Sequence, residues 1–200
     1  MKTVLITGAV GFIGFHLSRL CLEAGYKVVG IDNLSDYYDV QLKLDREIIL
    51  KKYDFFSLHK EDIQSSKLFP RIVNDNVKID IIVHLAAQAG VRHSIDHPED
   101  YVTSNLTGTF KVLELARAIK PLHTLMASTS SVYGSNKKMP FTETERTDHP
   151  LSFYAATKKA NEVMAHSYSH VFQVPITLFR FFTVYGEWGR PDMALYKFAS

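Results

Sequence analysis

The sequence predicts an α/β protein built on a doubly wound parallel sheet with helices on both faces. Three observations lead there. Short apolar runs rich in β-branched residues alternate with longer stretches of helical periodicity. The runs are apolar at consecutive positions, so each strand expects cover on both sides. A glycine-rich turn separates the first strand from the first helix.

In chain order, "KTVLIT" (2–7) is the first strand, bounded by Gly8. From Phe12 to Glu23, Phe12, Ile13, Leu17, Leu20 and Cys21 recur at helical spacing, and Gly25 closes the helix. "YKVVGID" (26–32) is a second strand and "YDFFSLH" (53–59) a third. "IQSSKLFPRIV" (63–73) reads as a helix interrupted at Pro70, which lacks an N–H to donate. "IDIIVHLAA" (79–87) is a strongly apolar strand. A long helix covers 98–119, opened by Pro98 in spite of Gly108 inside it. "HTLMAST" (123–129) is a strand, 151–172 a second long helix, and "PITLFRFF" (175–182) the last strand. The polar, turn-rich stretch 134–150 is expected as a surface loop, and no internal repeat or low-complexity linker breaks the order.

At 200 residues and 46% hydrophobic, the chain can bury a sizeable core. A net charge of +2, with basic residues dispersed, argues against a nucleic-acid partner. The single cysteine, Cys21, has no internal disulfide partner, which fits a reducing compartment. The N-terminus runs straight into the glycine motif with no small-residue cleavage site, so no signal peptide is read. No run approaches the roughly 18 apolar residues of a membrane span. The expectation is a soluble, cytoplasmic protein with no membrane partner.

"TGAVGFIG" gives Gly8-x-x-Gly11-x-x-Gly14 between a strand and a helix. Glycine allows a tight turn and a close backbone approach to a pyrophosphate, whose charge sits well on the amides of a helix N-terminus. Asp32 closes the second strand, where a carboxylate can accept hydrogen bonds from ribose hydroxyls. Asn33 follows rather than an arginine, which favours NAD over NADP. The reading is a Rossmann-type dinucleotide site.

Tyr154 and Lys158 stand at i and i+4 of a predicted helix and so share a face. A free tyrosine, with a pKa of about 10, is a poor base at neutral pH. A lysine charge nearby would favour its phenolate. Upstream, "STSSVYG" puts Ser128, Thr129, Ser130 and Ser131 at the C-terminal end of a strand, where open α/β sheets bind ligands.

These motifs, with "HLAAQAGVRHS" and "NLTGT", resemble the extended short-chain dehydrogenase/reductases, and within them the NAD-dependent nucleotide-sugar epimerases. The stretches "DNLSDYYDVQLK", "PLSFYAATKKANEVMAHSYSH" and "RFFTVYG-x-WGRPDMA" are similar nearly residue for residue to UDP-glucuronate 4-epimerases. The resemblance implies that Phe12, Ile13, Asp32, Asn33, Asp62, Ile63, Leu85, Ala86, Ala87, Gln88 and Asn105 line NAD. It makes Tyr154 the base for the sugar 4-hydroxyl and Lys158 the holder of the nicotinamide ribose. Thr129 would bond the reacting oxygen, with Ser130 and Ser131 nearby. Phe182 would pack near the nicotinamide, Thr183 would face the sugar, and Arg190 would pair with a uronate carboxylate. The implied reaction is 4-epimerisation of a UDP-sugar, UDP-glucuronate to UDP-galacturonate, through a 4-keto intermediate. The implied partner is a second copy, a homodimer through helices 98–119 and 151–172.

Sugar dehydratases of this superfamily carry an Asp-Glu pair at the positions of Ser130 and Ser131, and UDP-glucuronate decarboxylases a glutamate at that of Ser131. Serines remove the acid that both chemistries need. Val10 and Phe15 depart from the usual small residues, and Glu187 stands where proline is usual, within reach in sequence of Arg190. The resemblance covers the N-terminal part of a family member: 1–180 is expected as an NAD-binding domain and 181–200 as the start of a substrate region. The smaller substrate domain is then largely missing. A cofactor-binding or oligomerising module without turnover therefore stays open as an alternative.

His93-x-x-x-His97 and His166-x-x-x-His170 have helical metal-ligand spacing but no third ligand beside them, so no metal is expected. His84 is expected as a packed residue. Tyr37-Tyr38 either covers the adenosine or packs a loop. Arg92 is a candidate phosphate or substrate contact.

Overall fold

The computed structural model describes residues 1–75, 77–193, 196 and 198. They group into two compact units, residues 1–86 with 183–200, and residues 87–182. Residues 183–200 thus group with the N-terminal residues.

The first unit runs β1 (Thr3–Thr7), α1 (Phe12–Glu23), β2 (Lys27–Asp32), α2 (Val40–Leu50), β3 (Phe56–Lys60), α3 (Leu68–Asn74) and β4 (Ile81–His84). Its strands lie in the order β3-β2-β1-β4 and all pair in parallel; Leu5 of β1 is flanked by Val29 of β2 and Ile82 of β4. Every residue of β1 is buried, which is why its sequence shows no polar alternation.

Three expectations shift here. β3 begins at Phe56 because Tyr53 to Phe55 turn the chain out of α2: the Tyr53 N–H donates to the Leu50 carbonyl, and the Phe56 N–H to that of Tyr53. α3 begins at Leu68, so Pro70 falls in its first turn, where a backbone N–H has no helical partner in any case. Proline starts that helix rather than interrupting it. α2 has no counterpart among the expected elements. Its N-cap is Asp39, whose side chain accepts the Gln41 N–H, and its buried residues are Lys43, Arg46, Glu47 and Leu50. A buried face that is mostly charged is invisible to hydrophobic periodicity.

The second unit contains α4 (His93–Asp96), α5 (Pro98–Tyr101), a π-helical segment (Val102–Gly108), α6 (Thr109–Ile119), β5 (His123–Thr129), a 3₁₀ turn (Ser130–Tyr133), α7 (Phe153–Phe172) and β6 (Ile176–Phe181). β5 and β6 pair in parallel from Thr124–Ile176 to Thr129–Phe181. The expected helix 98–119 is present but widens by one register over Val102–Gly108. Thr103, the second residue of the widened segment, donates its hydroxyl back to the Glu99 and Asp100 carbonyls. Ser152 caps α7 by accepting the Ala155 N–H. Leu113, Met126 and Ala165 form one core cluster of this unit, with Met164, Tyr168, Ile176 and Leu178 packed on it. Burying side chains the size of Leu113 and Met126 contributes about 1.5–3 kcal/mol each. Residues 134–150 form a loop, as expected.

Candidate functional site

In the first unit the glycine turn is built by sterics. Gly8 has φ +72°, and a Cβ there would stand 2.9 Å from the Ala86 backbone nitrogen. A Cβ at Gly14 would stand 1.9 Å from the Gly8 carbonyl oxygen, and at Gly11 3.1 Å from the same atom. Only glycine lets α1 approach the turn this closely. The Gly8 N–H donates to the Ile31 carbonyl at 2.7 Å, so the turn is anchored to β2. Gly11 is the N-cap of α1 and supplies no side-chain cap, and no acidic residue occupies the first turn. Such a helix start suits an anion. Phe12 is buried and Ile13 half-buried at this end.

Asp32, buried at the C-terminal end of β2, accepts the Val10 N–H through Oδ2 at 3.2 Å and the Leu34 N–H through Oδ1 at 3.0 Å. It ties the glycine turn to the loop that follows β2. Lys43 stands 3.9 Å from Oδ1; burial pulls its pKa down, with Asp32 pulling it back up. Exposed Asn33 donates its side-chain amide to Asp62 at 2.8 Å, and buried Ile63 follows. Leu85 and Ala86 are half-buried, and both donate backbone N–H groups to Thr7 Oγ1. That hydroxyl pairs with His84 Nδ1 at 2.7 Å, so His84 is packed and bonded, as expected.

The segment after Thr183, itself exposed, belongs to this unit. Arg190 makes a two-pronged pair with Asp192, at 2.9 and 2.7 Å. Burial works against its charge, and Asp192 more than offsets that and holds its pKa up. Glu187, the carboxylate that sequence placed near Arg190, instead offers its backbone carbonyl to His16 Nε2 at 2.8 Å. Tyr37 donates to Asp192 at 3.3 Å and lies under the Arg190 guanidinium, 6.0 Å from ring to charge. Phe15 is fully buried, its ring 5.7 Å from that of Trp188.

In the second unit Asn105 projects from the π-helical segment and is fully buried. Its Oδ1 accepts the Gln88 N–H at 2.8 Å, and its Nδ2 donates to the Gln88 carbonyl and to Thr157 Oγ1. Thr157 in turn donates to the Tyr154 carbonyl. One side chain thus holds the Ala87–Gln88 loop to the first turn of α7, which is what the widened helix turn achieves. Tyr101 donates to the Ala89 carbonyl at 2.8 Å, and its ring meets that of half-buried Tyr154 edge-on at 6.1 Å.

Lys158 is 3% exposed and donates from Nζ to the Ala127 carbonyl at 3.1 Å. Burial holds its pKa down to about 8 from 10.5. Thr129, at the end of β5, accepts the Ser131 N–H at 3.2 Å and so caps the turn that carries Ser130 and Ser131; that turn packs against α7. Phe182 is 59% exposed, near the stacked rings of Tyr133 and Phe141. Arg92 is exposed at the start of α4.

Sequence reasoning missed the support behind this cluster. Ser128 donates to Glu162 at 2.6 Å, and Glu162 takes a two-pronged pair from Arg180, both contacts 2.9 Å. Burial pushes the Glu162 carboxyl up, but Arg180 and Ser128 outweigh it and hold it below the usual range. Glu162 lies one helical turn beyond Lys158, a spacing that could have flagged it.

His93 and His97 stack at 4.4 Å, with His93 on Asp100. Among the described residues no three His, Cys, Asp or Glu side chains gather as a metal site. No helix among them is long and apolar enough to cross a membrane.

The family model described as GDP-mannose 4,6 dehydratase matches residues 5–198. The chain belongs to this family. Within it, the resemblance carried by the motifs holds over the whole chain. The chain is 52% identical over 194 residues to a probable UDP-glucuronate 4-epimerase of Rhizobium meliloti, covering 97% of this chain and 57% of that protein. It superposes with a TM-score of 0.90 and 39% identity on the crystal structure of UDP-glucuronic acid 4-epimerase from Bacillus cereus in complex with UDP-glucuronic acid and NAD, covering 98% of this chain and 61% of that one. A UDP-N-acetylglucosamine 4-epimerase from Methanobrevibacter ruminantium, in complex with UDP-N-acetylmuramic acid, matches with a TM-score of 0.85 and 28% identity over 96% of this chain and 58% of that one. The fold class is therefore the expected one, six parallel strands alternating with helices in a Rossmann-type arrangement. The chain spans less than two thirds of the length of these relatives.

Proposed function

We propose that the chain carries the chemistry of an NAD-dependent UDP-sugar 4-epimerase, with UDP-glucuronate as substrate, UDP-galacturonate as product and a 4-keto sugar between them. The observation that carries this reading is the composition of the second-unit cluster: Tyr154 and Lys158 on α7, with Ser130 and Ser131 on the turn packed against it and Thr129 capping that turn from the end of β5. A tyrosine and a buried lysine supply acid–base capacity, and neither serine position offers the carboxylate that dehydration or decarboxylation would use.

The chain fits NAD on its own features. Glycine at positions 8 and 14 lets the turn close onto the Ala86 backbone and the start of α1, that start has no side-chain cap, and Asp32 stands at the end of β2. Gly8, Gly11, Phe12, Ile13 and Gly14 would hold the diphosphate side. Asp32, Asn33, Asp62 and Ile63 would hold the adenosine side, with Leu85, Ala86, Ala87, Gln88, Asn105 and Phe182 completing the lining. NAD, when bound, supplies a hydride acceptor and donor. Tyr154 takes the proton of the sugar 4-hydroxyl and returns it to the 4-keto oxygen. Lys158, still mostly protonated at neutral pH, favours the phenolate that does this and holds the ribose beside it. Thr129 bonds the reacting oxygen. Ser130, Ser131, Thr183 and Arg92 contact the sugar nucleotide, and Arg190, once released from Asp192, takes the uronate carboxylate. A homodimer through helices 98–119 and 151–172 is part of the same proposal.

The test is incubation of the chain with NAD and UDP-glucuronate, followed by NMR of the sugar anomeric protons, beside Tyr154→Phe. Epimerisation predicts UDP-galacturonate from the native chain and none from the variant, with NAD affinity preserved. Product from Tyr154→Phe would remove that residue as the base. NAD binding without product from either would favour the module reading.

A further inference from the structure

Among the described residues Arg46 is the largest fully buried side chain. Its guanidinium reaches two segments far apart in sequence. Nη1 donates to the Val10 carbonyl in the glycine turn at 3.0 Å and to the Tyr38 hydroxyl at 2.9 Å, while Nη2 donates to the Trp188 carbonyl. None of these acceptors is a carboxylate, and among the described residues Nε has no hydrogen-bond partner. The guanidinium thus sits directly behind the turn. The Val10 carbonyl belongs to the same peptide plane as the Gly11 N–H. Fixing one fixes the other, and the Gly11 N–H closes the turn onto the Gly8 carbonyl at 3.0 Å just where α1 begins.

The second segment it grips is the one that bears Arg190. Trp188 has φ +59°, a left-handed conformation that a tryptophan holds only with support. Its carbonyl is held by Arg46, its ring by Phe15, and the preceding Glu187 carbonyl by His16. All three partners come from α1 and α2. Phe15, which departs from the small residue usual in this helix, has its partner in Trp188.

We propose that Arg46 is a positioning residue that pins the Arg190-bearing segment to the glycine turn, so that an anion bound at the turn is felt at Trp188 and Arg190. The inference rests on the reading of the turn as an NAD site. A diphosphate there would add an anion to a guanidinium whose direct acceptors are all neutral, tightening the Val10–Arg46–Trp188 chain. Arg190, two residues on, would then be set before any carboxylate arrives.

Trp188 is the one tryptophan of the chain, so its emission reads this segment directly. The experiment titrates the native chain, Arg46→Met and Arg46→Lys with NAD, following calorimetric heat and Trp188 emission in parallel, with acrylamide quenching of each free protein. In the native chain emission shifts with the same midpoint as the heat. In Arg46→Met, NAD affinity falls about tenfold, the size of a lost charge-assisted hydrogen bond, the emission response is lost, and quenching of free Trp188 increases. Arg46→Lys, which keeps the charge without the fork, binds NAD near the native level but responds weakly at Trp188; it also serves if the methionine variant does not fold. Heat with an unchanged Trp188 response in both variants overturns the coupling and leaves the NAD reading intact. No heat from the native chain overturns the NAD reading and this inference with it.

Discussion

Lys158 of α7 donates its ammonium to the Ala127 carbonyl of β5 at 3.1 Å, two residues before Thr129. This single contact ties the part of α7 that carries Tyr154 and Lys158 to the strand whose end carries the hydroxyls. It also buries a charge, and burial brings the pKa down from 10.5 to about 8.

That shift fixes a sign. Between pH 8 and 10.5 the unfolded lysine binds a proton more readily than the folded one, so stability rises with pH across this window; below about 8 the full penalty is present. The penalty is on the order of 3 kcal/mol. Lys158→Met should therefore gain most over the native chain at pH 7, with the gap narrowing towards pH 10 in urea unfolding. A gap independent of pH would contradict a depressed Lys158. In any active form, turnover should fall as pH rises through about 8, where the ammonium is lost.

Asn105 satisfies both backbone groups of Gln88 and the Thr157 hydroxyl. Asn105→Ala leaves buried polar groups unpaired and should cost about 2–3 kcal/mol. Urea midpoints measure this; a loss near zero would mean that the loop at Gln88 does not depend on Asn105.

The glycine turn predicts a ranking. Gly14→Ala drives a methyl to 1.9 Å from the Gly8 oxygen, Gly11→Ala only to 3.1 Å. Gly14→Ala should lose at least about 1–3 kcal/mol together with NAD binding, and Gly11→Ala distinctly less. Thermal unfolding and NAD calorimetry of the two variants check the order, and equal effects would contradict it.

Glu162 and Arg180 form a pair largely shielded from water. Removing one partner strands the other, so Glu162→Met should cost about 3–5 kcal/mol. The double variant with Arg180→Met should recover much of that loss. A double variant as unstable as the sum of the singles would show that the two side chains act independently.

What the sequence discloses and what it hides follow one rule. β1 and β2 are legible because their buried runs are mostly apolar, and α1 because the turn before it needs glycine; the stripe read for α1 is not its buried face, since Leu20 is exposed while Phe15, Ser18 and Leu22 are buried. α2 is not, because Lys43, Arg46 and Glu47 are its buried face, and a helix turned charge-inward mimics a polar loop. Tyr154 and Lys158 are legible because one helix sets their spacing. The Glu162–Arg180 pair and the Asn105 bridge are made across elements, so no local spacing encodes them. Arg190 is legible as a residue, but its partner, Asp192 rather than Glu187, depends on the turn that follows.

The most direct measurement follows UDP-glucuronate deuterated at C4, with NAD and the native chain, by NMR. Epimerisation through a 4-keto sugar predicts UDP-galacturonate with the deuterium still at C4, because what leaves C4 returns to its other face. Loss of that deuterium to solvent, a dehydrated or decarboxylated product, or no product at all with NAD bound would contradict the account.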